Sequence, residues 1–342
     1  MNGGDGSSGG AGGNAEGGAL YNAGTARVIS STFAYNSGTG GNGGAGGAGG
    51  PNYGGPGSGG NGGGGGAGGA GVGALFNSGS VKIINSTFAF NSGLAGSGGA
   101  GGNGGDGNLG GSGGAGGNGG SGVGALYSLS SSCWITNCTF AGNSETSGTG
   151  GYGGAAGHTD YPYGNYGGSP GAPGSAGSGM GGISTSGGAF LNNLFASNIP
   201  AGNDTFPDPK LGPLADNGGP TLTMALLPGS PAIDDGTALG AATTDQRGVS
   251  RPQGPGVDMG AFEYLDSPIF MDATMIRSAT NCQMQLSGLT PNPALTLQVS
   301  TNLLNWWDAT NFMAGSNGVF QFTKSFHRDE PMRFYRLKSA SP

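Results

Sequence analysis

Apolar residues in the first 200 positions fall in short clusters, and the clusters recur. Gly18-Ala-Leu-Tyr-Asn22 is followed by Arg27-Val-Ile29 and Thr32-Phe-Ala-Tyr-Asn36. Gly73-Ala-Leu-Phe-Asn77 is followed by Val81-Lys-Ile-Ile84 and Thr87-Phe-Ala-Phe-Asn91. A third copy runs from Gly124-Ala-Leu-Tyr127 through Cys133-Trp-Ile-Thr136 to Phe140 and Asn143, and a degenerate fourth from Gly182-Ile183 through Phe190 to Phe195 and Asn198. The marker residues Phe33, Phe88, Phe140 and Phe195 stand 55, 52 and 55 positions apart. Within a copy, apolar and polar residues alternate briefly before Gly, Asn or Ser interrupts. That pattern predicts short strands joined by tight bends and no helix.

A unit of about 20 residues cannot bury its own apolar face, whereas stacked neighbours can, which is the logic of a solenoid. Parallel strands in successive copies would lie ~4.8 Å apart. Leu20, Leu75, Leu126 and Ile183 would then form one internal stack, and Phe33, Phe88, Phe140 and Phe195 another. Asn36, Asn91, Asn143 and Asn198 each follow the marker Phe by three residues. They read as a corner ladder, hydrogen-bonded along the stack and tolerant of left-handed backbone; the functional alternative is a ligand ladder. These motifs resemble the repeats of right-handed parallel β-helices in bacterial surface and autotransporter-type proteins. The resemblance implies an all-β fold with a right-handed parallel β-helix over residues 1–200. The chain departs from the family in placing about 30 glycine-rich residues between units.

Those insertions, at about 39–72, 94–122 and 147–181, have a period of three. In the second, non-glycine residues occupy 97, 100, 103, 106, 109, 112, 115, 118 and 121, with Asn108 the one addition. Three residues per turn is the period of a polyproline-II-type helix. Two glycines per turn strip side chains from two faces, so neighbouring passes can meet backbone to backbone. The expectation is a bundle of polyglycine-II helices, each insertion making two antiparallel passes with turns at Pro51–Pro56, Gly107–Gly110 and Tyr161–Tyr166. It resembles glycine-rich regions of some phage adhesins, mycobacterial surface proteins and insect antifreeze proteins. A flexible linker is the competing reading, but a linker needs no phase. Residues 101–109 also come near the calcium-binding nonapeptide of repeat toxins, which makes Asp106 a weak calcium candidate.

Composition sharpens this picture. Of 85 glycines, 71 lie in residues 1–200, which carry only seven charged groups: Asp5, Glu16, Arg27, Lys82, Asp106, Glu145 and Asp160. Two cations cannot neutralise a phosphate backbone, which excludes nucleic acid as a partner of that region. No apolar run approaches the ~18–20 residues of a membrane span. The histidines, His158 and His327, make no zinc spacing with Cys133, Cys138 and Cys282, which read as small buried hydrophobes. No cofactor is expected. The opening Met1-Asn-Gly-Gly-Asp5 has no basic or apolar segment of a signal peptide and already belongs to the repeat. The chain therefore reads as an N-terminally incomplete piece of an extracellular or cell-surface protein, or one whose natural start is not Met1; a cytoplasmic protein is the alternative.

Residues 201–264 change character, with Pro228-Gly-Ser-Pro-Ala-Ile-Asp234, Thr244-Asp-Gln-Arg-Gly248 and Asp258-Met-Gly-Ala-Phe-Glu263. They resemble the bacterial choice-of-anchor Q domain, which follows β-helix repeats in secreted or anchored proteins. The segment reads as a cap over the end of the solenoid, pinned by a network of Asp245, Arg247, Arg251, Asp258 and Glu263. Residues 267–342 read as a β-sandwich with strands near 284–286, 295–300, 319–322 and 333–337 and turns at Thr290–Pro293 and Gly315–Gly318. Leu297-Gln-Val-Ser-Thr-Asn302 and Arg333-Phe-Tyr-Arg-Leu337 resemble the fibronectin-III-like modules of verrucomicrobial and planctomycete secreted proteins. Trp306 and Trp307 are candidates for sugar stacking, with one of them read as core.

Three functions are open on the sequence. The first is a non-catalytic secreted or surface scaffold or adhesin, meeting surface polysaccharide or another surface protein. The second is a polysaccharide lyase or hydrolase, for which Arg27 and Lys82 are the available cations, read as standing at nearby but non-identical repeat positions. The third is ice or surface binding by the small-residue faces of the bundle.

Overall fold

Each repeat breaks into short strands because its apolar residues stand two apart and turn residues cut the run. In the first copy the strands are Leu20–Asn22, Thr25–Ile29, Thr32–Ala34 and Ser37–Thr39. The structure, a computed structural model, describes residues 2–53, 56–159, 167–200, 204–265, 272–277, 281–287, 294–313, 320–325 and 333–339. Among these the chain forms strands and no helix, in two units, Met1–Tyr264 and Leu265–Pro342.

In the first unit, matching strands of successive copies pair in parallel and in register. Leu20 pairs with Leu75, Leu75 with Leu126 and Leu126 with Ile183. Val28, Ile83, Ile135 and Phe190 form a second row, and Phe33, Phe88, Phe140 and Phe195 a third. The result is three four-stranded parallel sheets, a three-stranded one and a two-stranded one, each repeat contributing one tier. Strand alternation sends Phe88 and Phe140 into a core with Leu75, Ile83, Leu126 and Ile135. The stacked Phe rings are 4.7, 4.8 and 5.0 Å apart and nearly coplanar in orientation, so ring spacing follows strand spacing. Each such pair contributes roughly 0.5–1.5 kcal/mol beyond burial. Cys133 and Cys138 fill the same core as free thiols. Burial pushes both thiols up, Cys138 to about 12, which leaves them without thiolate character. Cys282 lies in a strand of the second unit.

The left-handed corners do not fall on the laddered Asn residues. Positive φ occurs at Ser30, Asn85, Asn137 and Asn192 (47°, 48°, 50° and 51°), and at Tyr35, Phe90, Gly142 and Ser197 (58°, 56°, 63° and 51°). The second set sits one residue before Asn36, Asn91, Asn143 and Asn198. Turning one residue early aims both the N–H and the Nδ2 of each Asn along the stack.

Glycine-rich stretches make seven passes, near 3–15, 40–52, 58–70, 95–107, 109–121, 147–158 and 168–178. Consecutive passes are antiparallel: Gly41, Gly44, Gly47 and Gly50 donate to Gly13, Gly10, Ser7 and Gly4 at 2.7–2.8 Å. Next-but-one passes are parallel: Gly43, Gly46 and Gly49 donate to Ser97, Ala100 and Asn103 at 2.8–2.9 Å. Odd passes thus form one layer and even passes a second, with hydrogen bonds recurring every third residue within and between them. A Cβ on Gly63 would stand 2.0 Å from the Ser7 carbonyl oxygen, so the α-hydrogen there points at an acceptor. The pass at the rim differs: a Cβ on Gly4, Gly10 or Gly13 meets nothing within 4 Å. Ser7 occupies that same phase, where its side chain meets open space. The turns at 51–56 and 161–166 fall partly or wholly outside the described residues.

Beyond Asp204 and Thr205, which meet the last tier, residues 204–264 do not sit over the end of the stack. They lie along the side of the tiers. Asn192 exchanges two 2.8 Å bonds with the Thr237 backbone, Asn137 accepts from Ala242 at 3.1 Å, and Asn85 donates to Thr244 at 2.7 Å. Gln246 accepts from Thr87 at 2.7 Å and donates to Thr32 at 2.9 Å. One segment therefore runs along the left-handed corners of the second, third and fourth repeats and meets the first at Thr32. The hairpin of Leu211–Ala215 with Thr223–Leu226 packs on the outward Ala89, Ala141 and Ala196. This explains why the Phe-bearing strands are buried on both faces. A solenoid end was the expected site because end edges need cover. The apolar outer face of this sheet is what the segment buries instead. At the last tier, Asp204 and Thr205 also bond the edge of the Phe195 strand.

The second unit has two three-stranded antiparallel sheets, Asp272–Arg277 with Asn281–Ser287 and Phe320–Ser325, and Trp307–Met313 with Ala294–Ser300 and Phe334–Ser339. They share a core of Met284, Leu286, Leu295, Leu297 and Leu337. The turns expected at Thr290–Pro293 and Gly315–Gly318 lie outside the described residues.

Candidate functional site

Three groups of side chains have the organisation a site requires: the Asn ladder, the charged cluster in 245–263, and the outward row that begins at Arg27.

In the ladder, Asn36 donates to the Asn91 Oδ1 through Nδ2 (2.8 Å) and N–H (3.0 Å). Asn91 does the same to Asn143, and Asn143 to Asn198. The second Nδ2 hydrogen of Asn91, Asn143 and Asn198 goes to the carbonyl of Phe33, Phe88 and Phe140. Asn198 donates to Asp204 Oδ1 through both groups, at 3.2 and 3.3 Å. A carboxylate accepts but does not donate, so Asp204 ends the ladder. From Asn91 to Asn198 every amide is committed, which leaves nothing for a ligand. Asn143→Ala would orphan buried groups on both neighbours. Its expected cost is about 3 kcal/mol, against about 1 kcal/mol for Asn36→Ala at the half-buried end, as shifts in denaturant midpoint.

A second set of side-chain bonds in the glycine layers was not anticipated. The N–H of the non-glycine position of each triplet has no backbone acceptor. Asn42 Oδ1 accepts from Ser97 at 2.9 Å, Asn61 from Ser112 at 3.0 Å, Asn103 from Ala155 at 2.9 Å and Asn118 from Ser175 at 2.9 Å. Asp5 serves Asn61 at 2.7 Å, and Asp106 serves the His158 N–H at 2.7 Å. The signal was present in the sequence, because these acceptor-bearing residues all keep the triplet phase. Asp106 is thus a rung between passes. Among the described residues, no three His, Cys, Asp or Glu side chains converge to hold a metal ion.

The charged cluster is a clasp. Arg251 and Glu263 pair at 2.6 Å with both side chains almost wholly buried, and Arg247 pairs with Asp245 at 2.7 Å. Glu263 also accepts from the N–H of Gln253 (2.9 Å) and Asp258 (3.0 Å). Asp245 accepts from the N–H of Arg247, Val249 and Glu263, and Asp258 from Asp234 and Tyr264. Arg251 reaches the carbonyls of Asp258 (2.9 Å) and Gly260 (2.7 Å). Arg247 lies over the Phe262 ring, 3.5 Å from its centroid. The carboxylates of Asp245, Asp258 and Glu263 spend their lone pairs on this loop.

Burial lowers Arg251 and raises Asp258 to about 6, against the N–H donors that favour its charge. The folded protein therefore holds the Asp258 proton more tightly than the unfolded chain. The associated stability is fully present below about pH 4 and is lost as pH rises through about 6. Comparing the wild type with Asp258→Asn in urea melts from pH 4 to 7 should show a decline in the wild type that the variant lacks.

The outward row of the second sheet places Arg27 directly beside Lys82, and Lys82 beside Trp134. The two cations thus share one repeat position, which corrects the sequence reading; both stand six residues before the marker Phe. In the second unit neither Trp is core. Trp306 is half-buried, its Nε1 donating to Leu303 and its ring under Arg336, and Trp307 is exposed.

No family model, curated protein or solved structure matches this chain. Among the described residues no helix is long and apolar enough to cross a membrane.

Proposed function

We propose that the chain is a non-catalytic structural or adhesive element of an extracellular or cell-surface protein. In this reading the tiers form a right-handed parallel β-helix and the glycine passes are polyglycine-II helices that brace it. Residues 201–264 act as a choice-of-anchor Q-like clamp along its side, and residues 267–342 as a fibronectin-III-like module.

The observation that carries the reading is where the polar groups go. Ladder amides, triplet Asn and Asp side chains and clasp carboxylates all bond neighbouring tiers, passes or loops. This is how a shaft is built when side chains are too few for an ordinary core. Incubation of the purified chain with a panel of neutral and acidic polysaccharides should release no new reducing or unsaturated ends. Release that persists after repurification would overturn the non-catalytic reading.

A further inference from the structure

In the row Arg27–Lys82–Trp134 the fold leaves two cations and an indole N–H without a use of their own. Arg27 and Lys82 are both exposed, and Trp134 is 43% exposed. Among the described residues neither cation joins an ion pair, and no protein acceptor meets the guanidinium, the ammonium or the indole N–H. The ladder amides and the triplet Asn and Asp side chains of the same segment, by contrast, bond neighbouring tiers and passes.

The arrangement is also unfavourable by itself. Like charges directly opposite on neighbouring strands destabilise a sheet. Residues 1–200 contain only these two cations, yet the register sets them side by side. No carboxylate occupies the row, whose fourth member is Ala189. An anion lying across the strands would offset the repulsion and meet both charges.

We propose that this row binds an acidic polysaccharide, its carboxylates on Arg27 and Lys82 and a sugar ring against Trp134. Adjacent strands repeat at ~4.8 Å, so the row offers charge, charge and aromatic ring at even steps to a chain that carries a carboxylate on successive sugars. Arg presents a planar fork matched to a carboxylate, and Lys a point charge. Exposed Ile29 flanks the row and gives the apolar edge of a sugar a surface to lie on. Residues 1–200 hold no further cation to follow a phosphodiester backbone, whereas a glycan draws part of its affinity from ring contact with Trp134 and Ile29. The inference goes beyond the scaffold reading, since a shaft without this affinity remains a shaft.

The test uses the full chain with polygalacturonate as the probe, and dextran and a single-stranded DNA oligomer as comparisons, by titration calorimetry at low and raised salt. Wild type should bind polygalacturonate, more weakly as salt rises, and should not bind dextran. Arg27→Gln/Lys82→Gln should weaken binding roughly tenfold or more, with a melting temperature equal to or above that of wild type. Trp134→Ala should weaken binding while leaving its salt dependence in place. The proposal is overturned if wild type does not bind polygalacturonate, if the double variant binds as wild type does, if dextran binds equally, or if DNA binds more tightly. Because the exposed cations make no contact in the fold, loss of binding in the double variant at an unchanged melting temperature reports on the row alone.

Discussion

Gly102→Ala should destabilise the first unit by about 3 kcal/mol, the upper range for overpacking, whereas Gly10→Ala should not. A Cβ on Gly102 would stand 2.0 Å from the Gly47 oxygen and 2.5 Å from its carbonyl carbon. Those atoms belong to the next-but-one pass, whose own amides are bonded on both sides, so there is no flexible side chain to yield. At Gly10 the same methyl meets nothing within 4 Å. There it removes unfolded-state freedom, and a gain of roughly 0.4–1 kcal/mol is expected where the backbone suits alanine. Paired calorimetric melts of the two variants measure the difference. Equal, small effects would mean that the passes are not packed backbone to backbone.

Glu263→Ala should be comparably severe. The carboxylate is buried against Arg251 at 2.6 Å and accepts two further N–H groups. Its removal leaves a buried guanidinium without its counter-charge, a loss of about 3–5 kcal/mol. Glu263→Gln keeps the shape and one acceptor and should fall between. The expected readout is an early transition confined to residues 204–264, followed by hydrogen exchange of the segment that lies on Asn85, Asn137 and Asn192. An unchanged transition in Glu263→Ala would mean that the clasp does not hold this segment in place.

Much of the first unit was legible because its signals are periodic. A marker Phe every 52 or 55 residues leads to in-register Phe pairing, and the spacing of the apolar clusters leads to the other parallel rows. Triplet phase in the insertions leads to hydrogen bonds every third residue. What failed to show was whatever depends on two distant segments meeting. The corner role of Asn85, Asn137 and Asn192, each three residues before the marker Phe, does not stand out in the sequence because the first repeat carries Ser30 at that place. The course of 237–246 along those corners has no local signature at all. Arg27 and Lys82 were within reach, since both precede the marker by six residues, but only the paired register shows them as neighbours. In the second unit, residue type suggests that one of Trp306 and Trp307 is core, whereas Trp307 is exposed and the Trp306 indole N–H finds the Leu303 carbonyl from a half-buried position.

Residue-resolved amide exchange of the glycine layers tests the central claim most directly. Amides of Gly43, Gly46, Gly63 and Gly66 donate to neighbouring passes at 2.8–2.9 Å and should exchange roughly a hundredfold or more slower than in a free peptide. Among non-glycine positions, Ser97 bonded to Asn42 should be slow, and Ala100, beside Ala45 with no side-chain acceptor, should be fast. Free-peptide rates throughout 40–52, 58–70 and 95–121 would contradict the claim that backbone bonding between passes replaces a side-chain core.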